Sequence, residues 1–286
     1  MSPSEFSEPY QSFVRVASRL SLKAGRRIME LLEDLPEKQI KADRSPVTVA
    51  DFAADQILRD GLSAAFPDHR VLTEESGLAG PEGSRYIWVV DPLDGTRAYA
   101  RGEHGFSVMV GLLENGVPVL GVVFDPVEQC LYQAVKGQGC DAIQNGERRK
   151  IRVTDRSEWD TMRLVVSTGF PEALLESVVG EMGFEVLPPI NSVGIKVALL
   201  ATQKGELYLN HHGVHYWDTC APLVLMQEAG GEFTSYDGSA LDFSMNGVYN
   251  HAHPTFASNG PRHADFVEYL KSKVELRDGR LHLKTH

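Results

Sequence analysis

The sequence predicts an α+β / α/β protein in two closely packed halves, an antiparallel-sheet half over residues 1–155 and an α/β half over 156–286. Three observations carry this reading. Apolar runs from Phe106 to Leu113, Val117 to Phe124 and Cys130 to Val135 are separated by turn signals, among them the strong hairpin pair Asn115-Gly116. Beyond residue 155, short apolar strands alternate with helical stretches, the pattern of an α/β arrangement. No low-complexity linker separates the halves, so they should share an interface rather than swing freely. At 286 residues the chain can bury a large core.

Taken in order, Tyr10 to Leu35 reads as a helix, with Phe13, Val16, Leu20, Ala24, Ile28 and Leu31 at three- and four-residue steps, ended by Pro36. Lys41 to Thr48 reads as a loop, with Ser45-Pro46 as its turn and Thr48 as N-cap of a helix from Val49 to Phe66. His69 to Thr73 is a short strand running into the acidic turn Glu74-Glu75-Ser76-Gly77. Tyr86 to Val90 is a buried strand, and its ladder should stop at Pro92, which has no N–H and a fixed φ. The strand at 70–73 can lie beside it, so that their ends meet. Gly137-Gln138-Gly139 and Asn145-Gly146 continue the meander to Ile151–Val153. With no helix following, Gly137 and Gly139 read as turn chemistry rather than a nucleotide loop. In the second half, Leu164–Val166, Glu185–Leu187 and Leu207–Leu209 are strands, and Pro171–Met182 and Val193–Lys204 are helices. A last helix starts near Asp218 and stops at Gly230-Gly231.

Composition narrows the chemistry. A formal net charge of −11 argues against a nucleic-acid polymer as partner, while a small anionic substrate stays open if metal ions and a few local bases offset the acidity. No apolar run reaches the length of a membrane span, and the start shows no basic region followed by an apolar one. Cys130, Cys140 and Cys220 show no metal-ligand spacing, which suits a reducing cytoplasm.

The chain is organised around Tyr86-Ile87-Trp88-Val89-Val90-Asp91-Pro92-Leu93-Asp94-Gly95-Thr96. Asp91 and Asp94 are delivered at the mouth of a sheet, where two close anions repel unless a cation sits between them. Oxygen ligands favour a hard ion such as Mg²⁺. Backbone N–H groups of Gly95 and Thr96 can point at a phosphate. Glu74 would add a third carboxylate, and Asp218 a fourth across the cleft between halves. Read singly, Asp51 is a first-turn helix charge, Asp218 an N-cap and Lys196 a surface lysine. His211, His212 and His215 read as exposed loop histidines rather than a zinc site, given so many hard oxygen donors elsewhere.

Glu74-Glu75, Asp91-Pro92-Leu93-Asp94-Gly95-Thr96 and Trp217-Asp218 resemble, in this order, the motifs of the inositol monophosphatase-like, lithium-sensitive phosphatase superfamily. The hairpin from Gly137 to Val153 and Glu228-Ala229-Gly230-Gly231 look like it too, so the resemblance spans roughly residues 15 to 260. It implies a layered αβαβα sandwich of the sugar-phosphatase type. Within the superfamily, Lys41 to Asp51 and Lys196 ahead of Leu199-Leu200-Ala201 are most similar to the 3′(2′),5′-bisphosphate nucleotidase branch, which hydrolyses adenosine 3′,5′-bisphosphate. Two stretches depart from that branch. Val193-Gly194 stand where a Ser-Ser pair is usual, and Ser167-Thr168-Gly169-Phe170 lack the basic and histidine residues often found there. An inositol or sugar phosphate therefore stays open as substrate.

The resemblance further implies two or three Mg²⁺ ions held by Glu74, Asp91, the Leu93 carbonyl, Asp94 and Asp218. Thr96, paired with Asp51 or Glu74, would orient and deprotonate the attacking water. A Thr hydroxyl is a poor base, so its proton must pass to a carboxylate. Gly95, Thr96 and Asp218 would hold the substrate, with Lys196 at a second phosphate. The expected partner is a small phosphorylated molecule, with a homodimer allowed and no membrane involved.

Overall fold

The computed structural model describes residues 7–33 and 49–284. Pro36, the loop at 41–48 and the Thr48 cap lie outside the described residues. Two helices open the chain, α1 (Tyr10–Glu33) and α2 (Val49–Ala65). The first sheet is built from β1 (Arg70–Thr73), β2 (Gly77–Ala79), β3 (Tyr86–Asp94), β4 (Ser107–Glu114), β5 (Val117–Asp125), β6 (Cys130–Val135), β7 (Gly139–Gln144) and β8 (Glu147–Lys150). Its spatial order is β2-β1-β3-β4-β5-β6-β7-β8, a meander from β3 onward, with the short helix α3 (Thr96–Ala100) after β3.

The second sheet has the order β10-β9-β11-β15-β13. Its strands are β9 (Arg163–Val165), β10 (Glu185–Val186), β11 (Leu207–Leu209), β13 (Glu232–Ser235) and β15 (Thr255–Ser258). Around it lie α4 (Glu172–Met182), α5 (Val193–Ala201), α6 (Tyr216–Glu228) and α7 (His263–Lys273). Two small ladders complete the fold, β12 (Val214–His215) with β14 (Asn250–His251) and β16 (Val274–Arg277) with β17 (Arg280–Leu283).

The layering follows from the period-2 alternation of strand side chains. On β3, Trp88 and Val90 pack with α1 and α2, while Ile87 and Val89 face α5 and α6. On the second sheet, Val165, Tyr208 and Ala257 join α5 and α6, whereas Leu164, Leu207, Leu209 and Phe256 pack under α4 and α7. The result is the αβαβα sandwich. Strands buried on both faces read as continuous apolar runs, as the sequence of β3 to β6 does.

Three expectations are corrected. Pro92 does not end β3: the pairing with β4 slips between Asp91 and Asp94 and resumes at Asp94 opposite Ser107. A bulge absorbs the residue without an N–H, and the Leu93 N–H finds the Asp91 side chain at 3.0 Å instead of a ladder partner. The meander ends at Lys150, because Val153 donates to the Ala229 carbonyl at 3.0 Å and leads the chain out of the sheet. α5 stops at Ala201, not Lys204, where Gln203 adopts φ 65° and Thr202 Oγ1 bonds back to the Ala198 carbonyl at 2.7 Å. The Gly137-Gln138-Gly139 turn is confirmed as turn chemistry. Its three N–H groups donate to the Glu228 carboxylate at 2.7–3.1 Å, so the protein fills that small anion cradle with its own side chain.

Candidate active site

Three segments converge at one end of the first sheet. β1 and β3 run parallel with Thr73 opposite Val90, and the Glu74 N–H donates to the Val90 carbonyl at 3.3 Å. Their ends therefore meet, as the sequence suggested. β3 delivers Asp91 and, past the bulge, Asp94. α6 brings Asp218 from far along the chain. Asp218 is not the N-cap; His215 is, and Asp218 sits inside the first turn, accepting the His215 N–H at 2.6 Å in a capping box. One carboxylate oxygen each from Asp91, Asp94 and Asp218 lies within 4.8 Å of the other two.

Gly95 links this cluster to α3. It adopts φ 93°, and a Cβ there would stand 2.5 Å from the Gly105 carbonyl, so only glycine suits the turn. Thr96 then opens α3, with its hydroxyl 3.2 Å from Asp51 Oδ1 and 3.1 Å from the Leu93 carbonyl. Of the two carboxylates expected to serve Thr96, Asp51 is the one within reach. Asp51, Glu74, Gly95, Thr96 and Asp218 share one cavity of about 460 Å³.

Asp94 is the most supported of the acids. Its Oδ2 accepts from Ser192 Oγ at 2.6 Å and from the Gly194 N–H at 3.1 Å, and Ser192 also touches Ser107 Oγ at 2.9 Å. Ser192 caps α5 by accepting the Ile195 N–H. Gly194 is there for space: a Cβ would come within 2.8 Å of Met109, Ser107 and Val123. The missing Ser-Ser pair thus has a packing reason, and the hydroxyl of Ser192 binds Asp94 from the preceding position. Sequence reading overlooked Ser192, although a serine just before an apolar helix is an N-cap signal.

Lys196 is not a surface lysine. It is fully buried, and its ammonium donates to Ser167 Oγ at 2.5 Å and to the Ile190 and Asn191 carbonyls at 3.0 Å. An ammonium has three donors, so all are used. Ser167, Thr168 and Asn191 line the cavity, with Lys196 behind them. His212 and His215 also line the cavity, the latter stacked on Trp217 at 4.5 Å.

Electrostatics suits the cluster to a cation. Burial pushes the Glu74 carboxyl up to about 8, and the charges of Asp218, Glu75, Asp94 and Asp51 add to the rise. Burial also lifts Asp218 to about 7, reinforced by Asp94. Asp91 is driven well above the ordinary range by burial, then by Glu74, Asp94 and Asp218. Asp94 rises through burial but is held back by the Ser192 hydroxyl and the Lys196 charge. Mutually repelling, all-oxygen donors, with Asp91 and Asp94 buried, Asp218 half-buried and Glu74 at the exposed rim, fit a hard divalent ion.

Linkage gives a test. A carboxyl whose folded pKa lies above its unfolded value stabilises fully below the unfolded value and loses that contribution as pH rises through the folded one. For Glu74 and Asp218 that window runs from about 4 to about 8. The buried His251 and His263, lowered to about 4 by burial, act in the opposite sense, so the effect of the ion is the cleaner readout. Mg²⁺ should raise Tm by roughly 4 °C or more at pH 8 and far less at pH 5 in calorimetry. An equal shift at both pH values would remove these carboxylates from the ion.

Comparisons with known proteins bear on the family and the fold. The model of the inositol monophosphatase family matches residues 10–273. The 3′(2′),5′-bisphosphate nucleotidase CysQ of Escherichia coli (strain K12) is 32% identical over 230 residues, covering 79% of this chain and 92% of that protein. The inositol-1-monophosphatase of Synechocystis is 30% identical over 269 residues, covering 91% and 89%. Among solved structures, inositol monophosphatase from Anabaena superposes with a TM-score of 0.76 at 29% identity, covering 92% of this chain and 96% of that one. The extragenic suppressor protein suhB from Bartonella henselae gives 0.78 at 25% identity, covering 91% and 98%. The chain belongs to the inositol monophosphatase family and is a phosphatase, a hydrolase of phosphate monoesters. Among the described residues, no helix is long and apolar enough to cross a membrane.

Proposed function

We propose that this protein is a Mg²⁺-dependent 3′(2′),5′-bisphosphate nucleotidase that converts adenosine 3′,5′-bisphosphate to AMP and phosphate. The observation that carries the chemistry is the meeting, in one cavity, of the Thr96–Asp51 pair with Glu74 and with Asp218 of the carboxylate cluster. The substrate rests on likeness to the E. coli nucleotidase, which spans most of both chains. We place the enzyme in the cytoplasm, where its buried thiols Cys130, Cys140 and Cys220 stay reduced.

Glu74, Asp91, the Leu93 carbonyl, Asp94 and Asp218 would hold the ions. Bound divalent ions supply neutralisation of the phosphate and a lowered pKa for water. The rest falls to the chain. Thr96 Oγ1 accepts a proton from the attacking water as it passes its own to Asp51 Oδ1, the carboxylate 3.2 Å away. The Gly95 and Thr96 N–H groups orient the phosphate at the opening of α3, where first-turn donors have no partner within the helix.

A second reading keeps the machinery and changes the substrate to inositol or sugar phosphate. Val193-Gly194 in place of Ser-Ser favours it, as does the Synechocystis relative. Phosphate release with Mg²⁺ from adenosine 3′,5′-bisphosphate, inositol 1-phosphate and fructose 1,6-bisphosphate, run in parallel, decides. A kcat/KM on the nucleotide about a hundredfold above the others is the expected result; a preference for either sugar-type substrate overturns the nucleotide assignment.

A further inference from the structure

A bisphosphate substrate carries a second anionic group that must find a partner away from the reacting phosphorus. The cavity makes that difficult. Asp51, Glu74, Glu75 and Asp218 line it, and a second phosphate placed among them is repelled unless a cation meets it. The expected candidate, Lys196, stands behind the wall with its donors already given to Ser167, Ile190 and Asn191. His215 is stacked on Trp217 with its Nδ1 turned to Asp218 at 3.8 Å, and the His212 ring holds the Gly213 carbonyl at 2.8 Å through Nδ1.

Arg97 is different. Among the described residues it is the one lysine or arginine lining the cavity, and its side chain is exposed to solvent. Other arginines of the molecule, such as Arg59, Arg85, Arg101 and Arg163, are engaged with nearby carboxylates. Among the described residues the Arg97 guanidinium makes no such pair. It follows Thr96 directly on α3. Successive helix positions are rotated by about 100°. Thr96 therefore turns its hydroxyl to Asp51 and Leu93, while Arg97 projects from the neighbouring face of the same turn. The two residues can address different parts of one ligand.

We infer that Arg97 is a specificity-determining residue that binds the second, non-reacting phosphate of the substrate. The inference rests on the nucleotidase reading above. A guanidinium is permanently charged and presents a planar fork that matches phosphate oxygens, so it can hold a phosphate firmly even at an open cavity mouth. Discrimination then comes from a pairing that a monophosphate cannot make.

The test compares adenosine 3′,5′-bisphosphate with adenosine 3′-monophosphate in the wild type, Arg97→Met and Arg97→Lys, with Mg²⁺ present. The wild type should prefer the bisphosphate by about a hundredfold in kcat/KM, and Arg97→Met should cut that preference at least tenfold, chiefly through KM. Arg97→Lys should recover part of it, since the charge returns without the fork. AMP binding followed by calorimetry, which needs no turnover, should weaken about tenfold in Arg97→Met. If the wild type prefers the bisphosphate but Arg97→Met loses equally on both substrates, Arg97 is not the second-phosphate ligand and the nucleotidase reading stands. If the wild type shows no preference, both fall together.

Discussion

Asp94→Asn should lower kcat/KM on the order of 10³-fold or more and leave the fold intact. The substitution keeps the shape and an oxygen that can still accept from Ser192 Oγ and the Gly194 N–H. It removes one charge from a cluster in which Asp91, Asp218 and Glu74 already resist ionisation. The metal-free variant should therefore be at least as stable as the metal-free wild type at pH 8, whereas the Mg²⁺-dependent rise in Tm should largely vanish. These two signs together separate a lost ligand from a damaged core. Calorimetry with and without Mg²⁺, alongside phosphate release, reads both. Activity within tenfold of wild type would take Asp94 out of the metal site.

Where the information was local, the sequence was readable. Tyr86 to Thr96 holds a strand, a proline and a glycine in one stretch, and the structure places Asp91, Asp94 and Thr96 at one sheet end. The same locality misled at Pro92. A missing N–H does end a ladder bond, but the partner strand decides whether pairing resumes, and Ser107 stands opposite Asp94 to resume it. Asp218 shows the limit from the other side. Its helix was legible, yet the facing of its carboxylate toward Asp91 and Asp94 depends on α6 lying against the first sheet, which no spacing within residues 215–230 encodes.

Lys196 and Ser192 were harder for the same reason. The partners of Lys196 include Ser167, and those of Ser192 include Asp94 and Ser107, far away in the chain. A lysine in an apolar helix is a hint of burial; α5 is buried nearly throughout, so its one charged residue had to be satisfied internally. The region after Gly231 shows no clear element in the sequence. Its strands are only two to four residues long and carry little periodic signal, although Phe266, Val267 and Leu270 of α7 had helical spacing.

Thr96→Ala should reduce kcat by about 10²- to 10⁴-fold while Mg²⁺ binds within roughly threefold of wild-type affinity. Alanine fits the first position of α3, so the loss falls on the hydroxyl and its bonds to Asp51 and the Leu93 carbonyl. Thr96→Ser keeps that hydroxyl and should recover most of the rate. On the proposed mechanism the proton passes from Thr96 to Asp51, so the pair would act as a unit, and groups that act as a unit do not add. Asp51→Asn should then cost about as much as Thr96→Ala, and the double variant little more than either. Additive losses would mean that the two residues serve separate steps. A Thr96→Ala variant that loses Mg²⁺ affinity in proportion to activity would mark the hydroxyl as a prop for the Leu93 carbonyl, leaving the attacking water to be deprotonated elsewhere.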